Sequence, residues 1–271
     1  MKVRRLNRVD LLLPGEDLPE AVRVYNELLG GHLPPPEEVP GQEILSTIDY
    51  RLGIEFFGPR PDSERAALFE DRSRRGSIGP VVWEVDDLEA LKREITGKGY
   101  RISFEFGELG SRSVYLDASQ WFGFVAAFTE RASATAGPPP TRVTRLQRVE
   151  LPMPGKDIEP ARQAFNDLLG GHLPPPHHLP EYDFMASVDL GVGLELNGPA
   201  SVSKLDGPPG MAGPLIWEVA DLDEARQQAE AGGFAVAHEF GERGERQIHF
   251  DPGQLFGYSV AFTERRTAPT G

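Results

Sequence analysis

The stretch LLGGHLPPP at Leu28–Pro36 recurs residue for residue at Leu168–Pro176, 140 positions later. The match spreads outward from it. Leu6, Arg8, Val9, Pro14, Gly15, Asp17, Ala21 and Asn26 return as Leu146, Arg148, Val149, Pro154, Gly155, Asp157, Ala161 and Asn166. GIEFFGP (Gly53–Pro59) returns as GLELNGP (Gly193–Pro199), still 140 apart. GPVVWEVDDL (Gly79–Leu88) returns as GPLIWEVADL (Gly213–Leu222) at a spacing of 134, so the loop before it is six residues shorter in the second copy. FGFVAAFTER (Phe122–Arg131) closes the first copy and FGYSVAFTER (Phe256–Arg265) the second. The chain is a tandem duplication, which sets its domain organisation before any element is placed.

Periodicity then gives the elements. Val9, Leu11 and Leu13 alternate with Arg8, Asp10 and Leu12, the pattern of a half-buried strand with charge on its second face. Pro14–Gly15 turns the chain. Asp17 is placed to cap a helix carrying Leu18, Ala21, Tyr25, Leu28 and Leu29, and Gly30–Gly31 ends it where a left-handed residue is wanted. Pro34–Pro36 confines the next segment to an edge or a loop. Strands follow at Glu43–Tyr50 and Gly53–Phe57. The pattern restarts with Val81, Trp83 and Val85, an Asp86–Asp87 cap, a helix through Leu88, Leu91 and Ile95, and strands at Tyr100–Phe106, Arg112–Leu116 and Phe122–Phe128. Each half is thus two β-α-β-β-β units. The expected boundaries are residues 1–131 for the first domain, a Pro/Ala/Gly linker at 132–141, residues 142–265 for the second domain, and a tail at 266–271. The loop Asp62–Ile78 is charged and polar and reads as surface.

Bulk properties narrow the function. The 271 residues carry a formal net charge of −14, which disfavours a nucleic-acid or anionic-membrane partner. There is no cysteine, hence no disulfide framework, thiolate nucleophile or cysteine metal site. No stretch reads as a signal peptide or a membrane span, so a cytoplasmic monomer or homodimer with a small-molecule ligand is expected.

These residues resemble the vicinal oxygen chelate superfamily of glyoxalase I, extradiol dioxygenases and bleomycin-resistance proteins. The likeness rests on the strand L-x-x-V, the D-capped helix ending in YxxLLGG, the [IL]-E-[LF] strand, the WEV-x-DL restart and the closing FG strand, over about residues 6–130 and 146–265. It implies an α+β fold of four βαβββ units in two tandem glyoxalase-like domains, with paired units curling their sheets into cups and the site inside. It also implies a divalent metal held by strand side chains, and here those positions have changed. The first-strand histidine is Arg8 and Arg148, the histidine opening the restarted strand is Pro80 and Pro214, and the closing-strand glutamate is Ala127 and Ala261. Only the [IL]-E-[LF] glutamate remains, as Glu55 and Glu195. One carboxylate does not hold a metal and a guanidinium repels one, so no metal and no other cofactor is expected.

Strand parity places Arg148, Glu150, Glu195, Asn197, Ile216, Glu218, Gln247, His249, Ser259 and Ala261 inside the second cup. The first-half inward set is Arg8, Asp10, Glu55, Phe57, Val82, Glu84, Tyr115, Val125 and Ala127. Phe57, Tyr115 and Val125 become Asn197, His249 and Ser259, so the second half gains three polar groups. His177 and His178 follow a proline run in a loop and read either as rim residues of the cup or as surface histidines; His32 and His172 read as helix-end contacts. The shared Arg with two acids reads either as an ion network holding the fold or as a site in which Arg148 polarises an oxyanion and Glu195, Glu150 or His249 moves a proton. Asn197, Gln247, Ser259, Glu218 and Ile216 would then bind the substrate. Three functions follow: a metal-independent isomerase, lyase or cyclase acting on a small oxygenated or aromatic compound; a binding protein of the bleomycin-resistance type; or a metal enzyme with ligands relocated to Glu150, Glu195 and His249.

Overall fold

The computed structural model describes residues 3–64, 66, 78–108, 111–131, 138–180, 183–201, 213–242 and 245–264. Most of the expected Asp62–Ile78 loop, residues 132–137 of the linker and the tail lie outside the described residues. The first half runs β1 (Arg5–Leu12), α1 (Leu18–Leu29), β2 (Glu37–Val39), β3 (Ile44–Asp49), β4 (Ile54–Pro59), β5 (Ile78–Glu84), α2 (Leu88–Gly97), β6 (Ile102–Glu108), β7 (Ser111–Leu116) and β8 (Ala126–Arg131). The second half repeats it as β9 (Val143–Pro152), α3 (Gly155–Leu169), β10 (His177–Leu179), β11 (Phe184–Asp189), β12 (Leu194–Pro199), β13 (Leu215–Val219), α4 (Leu222–Ala231), β14 (Val236–Glu242), β15 (Glu245–Phe250) and β16 (Val260–Glu264). Each half forms one eight-stranded sheet, in the orders β2-β3-β4-β1-β5-β8-β7-β6 and β10-β11-β12-β9-β13-β16-β15-β14. Four βαβββ modules in two tandem glyoxalase-like domains are the architecture.

Local chemistry sets the element ends. Gly30 and Gly170 close α1 and α3 at φ 65° and 62°, a conformation that costs a residue with a Cβ. Asp87 and Asp221 cap α2 and α4 by accepting from the amides of Ala90 and Glu224. Two expectations are corrected. Asp17 stands at the start of α1 but makes no side-chain capping bond, because a single 3-10 turn, Gly15–Asp17, already leads the chain into the helix. The last strand of each half also starts later than read. Phe122 and Phe256 sit at φ 57° and 59° in a turn, so β8 begins at Ala126 and β16 at Val260.

The described chain groups into two compact units, and neither is one copy of the duplication. One comprises Met1–Asp10, Ser77–Thr135 and Arg148–Gly213; the other comprises Leu11–Gly76, Ala136–Gln147 and Pro214–Gly271. Each unit joins a module of one half to a module of the other. In the first unit Trp83, fully buried, donates its indole N–H to the Val192 carbonyl at 2.8 Å. Phe165 of α3 packs against both Trp83 and Trp121, with ring centroids 6.4 and 5.4 Å away. In the second unit Trp217, also fully buried, donates to the Leu52 carbonyl at 2.8 Å. Tyr258 there donates to the Leu12 carbonyl at 2.8 Å, and burial pushes its pKa up. Arg142 donates to the Glu27 and Leu28 carbonyls in the last turn of α1, where helix carbonyls lack an intrahelical donor.

The paired indole bonds give a direct test. Trp83→Phe and Trp217→Phe keep most of the apolar bulk and strand a buried carbonyl, so each should cost about 1–3 kcal/mol in chemical denaturation. The two losses should match, because Trp83 and Trp217 are duplicates bonded to duplicate turns. Unchanged unfolding midpoints would show that neither bond stabilises the unit that contains it.

Candidate functional site

In the first unit α3 packs against β11 and β12. Alternation along β12 turns Leu194 and Leu196, both fully buried, toward the helix and leaves Glu195 and Asn197 on the opposite face. β12 runs parallel to β9 with Glu195 opposite Glu150. Arg148, two residues before Glu150, shares that face. Four of the expected site residues therefore meet here.

Their contacts form one network. Arg148 donates from Nε to Glu195 Oε2 at 2.8 Å, with the arginine side chain only 3% exposed. Asn197 donates from Nδ2 to Glu150 Oε2 at 2.6 Å and to Glu195 Oε1 at 3.2 Å. Asn197 is 3% exposed, while Glu150 is half-buried. The Arg148 bond fixes the plane of a guanidinium that would be costly to bury alone. The Asn197 amide lies between two carboxylates, which orients its nitrogen toward both and its carbonyl oxygen away from them.

The first-half counterparts make these contacts. Arg8 donates from Nε to Asp10 Oδ1 at 2.8 Å. Glu55 accepts from Ser46 Oγ at 2.7 Å. At the position of Ser46 the second half has Ala186, and at that of Phe57 it has Asn197. Glu195 thus lost a hydroxyl donor beside it and gained an amide.

The other expected residues lie in the second unit. β13, β16, β15 and β14 carry Ile216, Ala261, His249 and His238 in register, so one face of the sheet presents them in a row. Glu218, Thr263 and Gln247 form the next row on that face. His249 and Gln247 are buried; Ile216 and Ala261 are fully so. Glu218 accepts from Arg145 at 2.9 Å, as Glu84 accepts from Arg5 at 2.9 Å in the first half. That shared ion pair ties the Glu218 carboxylate to the fold. Ser259 lies just before β16, where its carbonyl accepts from the Leu215 amide at 2.9 Å.

Register also exposes a partner that sequence alone did not single out. His238 stacks on His249 with centroids 4.2 Å apart and planes 16° from parallel. The duplicate positions hold Phe104 and Tyr115, 5.6 Å apart and tilted by 46°. An aromatic pair has become an imidazole pair. The signal was available in the 134-residue spacing that carries Phe104 to His238 and Tyr115 to His249. His32 and His172, expected at helix ends, have exposed side chains; the His172 amide donates to Asp189 Oδ2 at 2.6 Å.

No protein-family profile matches the chain, and no curated protein matches it. Solved structures do. A 4-hydroxymandelate synthase mutant from Streptomyces coelicolor matches with a TM-score of 0.74 at 12% identity, covering 100% of this chain and 95% of that one. The 2,2',3-trihydroxybiphenyl 1,2-dioxygenase from Sphingomonas wittichii strain RW1 matches with a TM-score of 0.65 at 16% identity, covering 97% and 91%. The Mn(II)-bound glyoxalase from Novosphingobium aromaticivorans matches with a TM-score of 0.65 at 12% identity, covering 97% and 82%. At such identities the likeness establishes the fold: this chain has the fold of the vicinal oxygen chelate superfamily.

Proposed function

We propose that the chain acts on a small oxygenated or aromatic compound by acid-base and oxyanion chemistry, without a metal. The observation that carries this reading is Arg148. It stands where the resemblance places a first-strand metal ligand, it is buried, and Glu195 holds it at 2.8 Å. A fixed cation at that point can stabilise a developing oxyanion, the task a metal performs in the related chemistry.

The donor set does not fit a metal of that type. Guanidinium is always protonated and offers no lone pair. Pro214 and Ala261, at the two other positions the resemblance assigns, have no donor atom in their side chains, and Pro80 and Ala127 repeat this in the first half. Among the described residues no three His, Asp or Glu side chains are grouped to hold an ion. The remaining groups suit proton transfer: Glu195 and Glu150 beside Arg148 as acceptors, and the His249 imidazole as donor or acceptor. His249 and Arg148 lie in different compact units, so each role is tested by its own substitution. Isomerisation, elimination or cyclisation fits these parts, because each needs a proton moved and a transient oxyanion steadied.

Two measurements test the proposal. Protein purified without a metal-affinity tag should contain well under one equivalent of transition metal, and any turnover found in an NMR screen of small oxygenated compounds should survive a chelator. Stoichiometric metal with chelator-sensitive activity would overturn the reading. Arg148→Ala should then lower turnover by about two to three powers of ten, the scale for removing an oxyanion donor. Because truncation strands a buried carboxylate, Arg148→Lys serves as the folded companion; it keeps the charge, loses the fork, and should still reduce the rate. His249→Phe should cost about 10²–10⁴ in rate if its imidazole carries the proton. Arg8→Ala, in protein that remains folded, should leave turnover largely intact. Equal loss of melting temperature for Arg8→Ala and Arg148→Ala, with ligand binding and turnover untouched, would assign the network to the fold alone.

A further inference from the structure

The edge of the second-half sheet bears on what the site takes. β10 pairs antiparallel with β11, His177 opposite Ala186, and β11 pairs with β12, Ala186 opposite Asn197. Residues opposite one another across a ladder share a face. His177, Ala186 and Asn197 therefore form one row on the face that carries Glu195, Glu150 and Arg148. Phe184 and Val188 flank Ala186 along β11 on the same face. All of these residues belong to the first compact unit.

Every member of that row differs from its duplicate. The first-half row is Glu37–Ser46–Phe57, in the same register. A charged edge, a hydroxyl and a phenyl ring have become an imidazole, a methyl and an amide. The change removes the Ser46-type hydroxyl that donates to Glu55, and leaves a short side chain between two polar ones. Two strand spacings separate His177 from Asn197, roughly 10 Å between backbones, with nothing longer than a methyl rising between them on the row.

The polarity of this slot is set by hydrogen bonds already made. Asn197 directs Nδ2 to Glu150 and Glu195, so its Oδ1 is what it presents. Oδ1 accepts no hydrogen bond from the described residues, although Asn197 is only 3% exposed. The His177 imidazole, half-buried, likewise makes no side-chain hydrogen bond to them. A carbonyl oxygen flanked by two carboxylates seeks a donor and rejects an anion.

We propose that the row His177–Ala186–Asn197 is a binding subsite for a hydrogen-bond-donating group, a hydroxyl or an amine, of an otherwise apolar ligand. The donor sits over the Ala186 methyl and gives its proton to Asn197 Oδ1. The His177 imidazole bonds the same group from the other side, and Phe184 and Val188 contact the apolar remainder. This rests on the functional reading above and specifies its substrate class: an alcohol, phenol or amine bound by its donor, in preference to a carboxylate drawn in by Arg148.

Ligand-detected NMR titration of the full chain with benzyl alcohol, benzylamine and benzoate tests it. At least one of the two donor probes should bind and benzoate should not, with the ratio of alcohol to amine identifying which donor the site prefers. Ala186→Leu, which fills the space between His177 and Asn197, should abolish binding. His177→Phe should weaken it about threefold to tenfold, the scale of one hydrogen bond. His178→Phe, on the same strand but the opposite face, should leave it unchanged. Benzoate binding as well as the donors, no binding by either donor, or full binding by Ala186→Leu would each overturn the proposal. The two readings fail separately. Loss of turnover in Arg148→Lys with intact probe binding in Ala186→Leu keeps the chemistry and discards the subsite. Blocked binding in Ala186→Leu with normal turnover in Arg148→Lys does the reverse.

Discussion

The hydrogen bond from a tryptophan indole to a turn carbonyl of the other half is the constraint on which this architecture depends. Trp83 reaches Val192 and Trp217 reaches Leu52, both at 2.8 Å and both fully buried. An indole N–H cannot be buried cheaply without an acceptor, and a turn carbonyl has the complementary need. Neither half contains both partners of either bond. The compact units consequently combine modules across the duplication, and the sequence copy is the unit of ancestry while the mixed pair of modules is the unit of packing.

The copies diverged in two ways. In the core the exchanges keep apolar character: Trp83 and Trp217 or Leu29 and Leu169 are identical, while Phe56 answers Leu196 and Trp121 answers Leu255, all fully buried. On the opposite face several exchanges change polarity. There Phe57 became Asn197, Tyr115 became His249, Phe104 became His238, Glu37 became His177 and Ser46 became Ala186. Each exchange leaves the strand alternation intact and alters only what the face presents.

How much of this was legible depends on the range of the interaction. The repeat, the alternation and the helix-ending glycines are local patterns, so module count, strand parity and the buried tryptophans could be read directly. The turn at Phe122 was not, because a phenylalanine at positive φ has no local signature; it is held there by the turn that follows Trp121. The contact of Arg148 with Glu195 spans 47 residues, and nothing in the spacing announces it. His177 was visible as a histidine near a proline run, but only the edge-strand register shows that it shares a row with Asn197. The mixed composition of the compact units was equally hidden, since it depends on contacts between copies.

The second-half network is built around one exchange. In the first half Glu55 accepts from the Ser46 hydroxyl at 2.7 Å. In the second half Ala186 removes that donor and the Glu195 carboxylate, 8% exposed, must find others. Arg148 supplies one and Asn197 the second, which holds the asparagine oxygen turned away from the acids. The direction of that single amide is therefore a consequence of a lost hydroxyl one strand away. Restoring the serine would give Glu195 a competing donor and weaken the hold on Asn197. The polarity of the face is thus fixed by carboxylate satisfaction, and the ligand chemistry it accepts follows from the same bonds that make the network stable when buried.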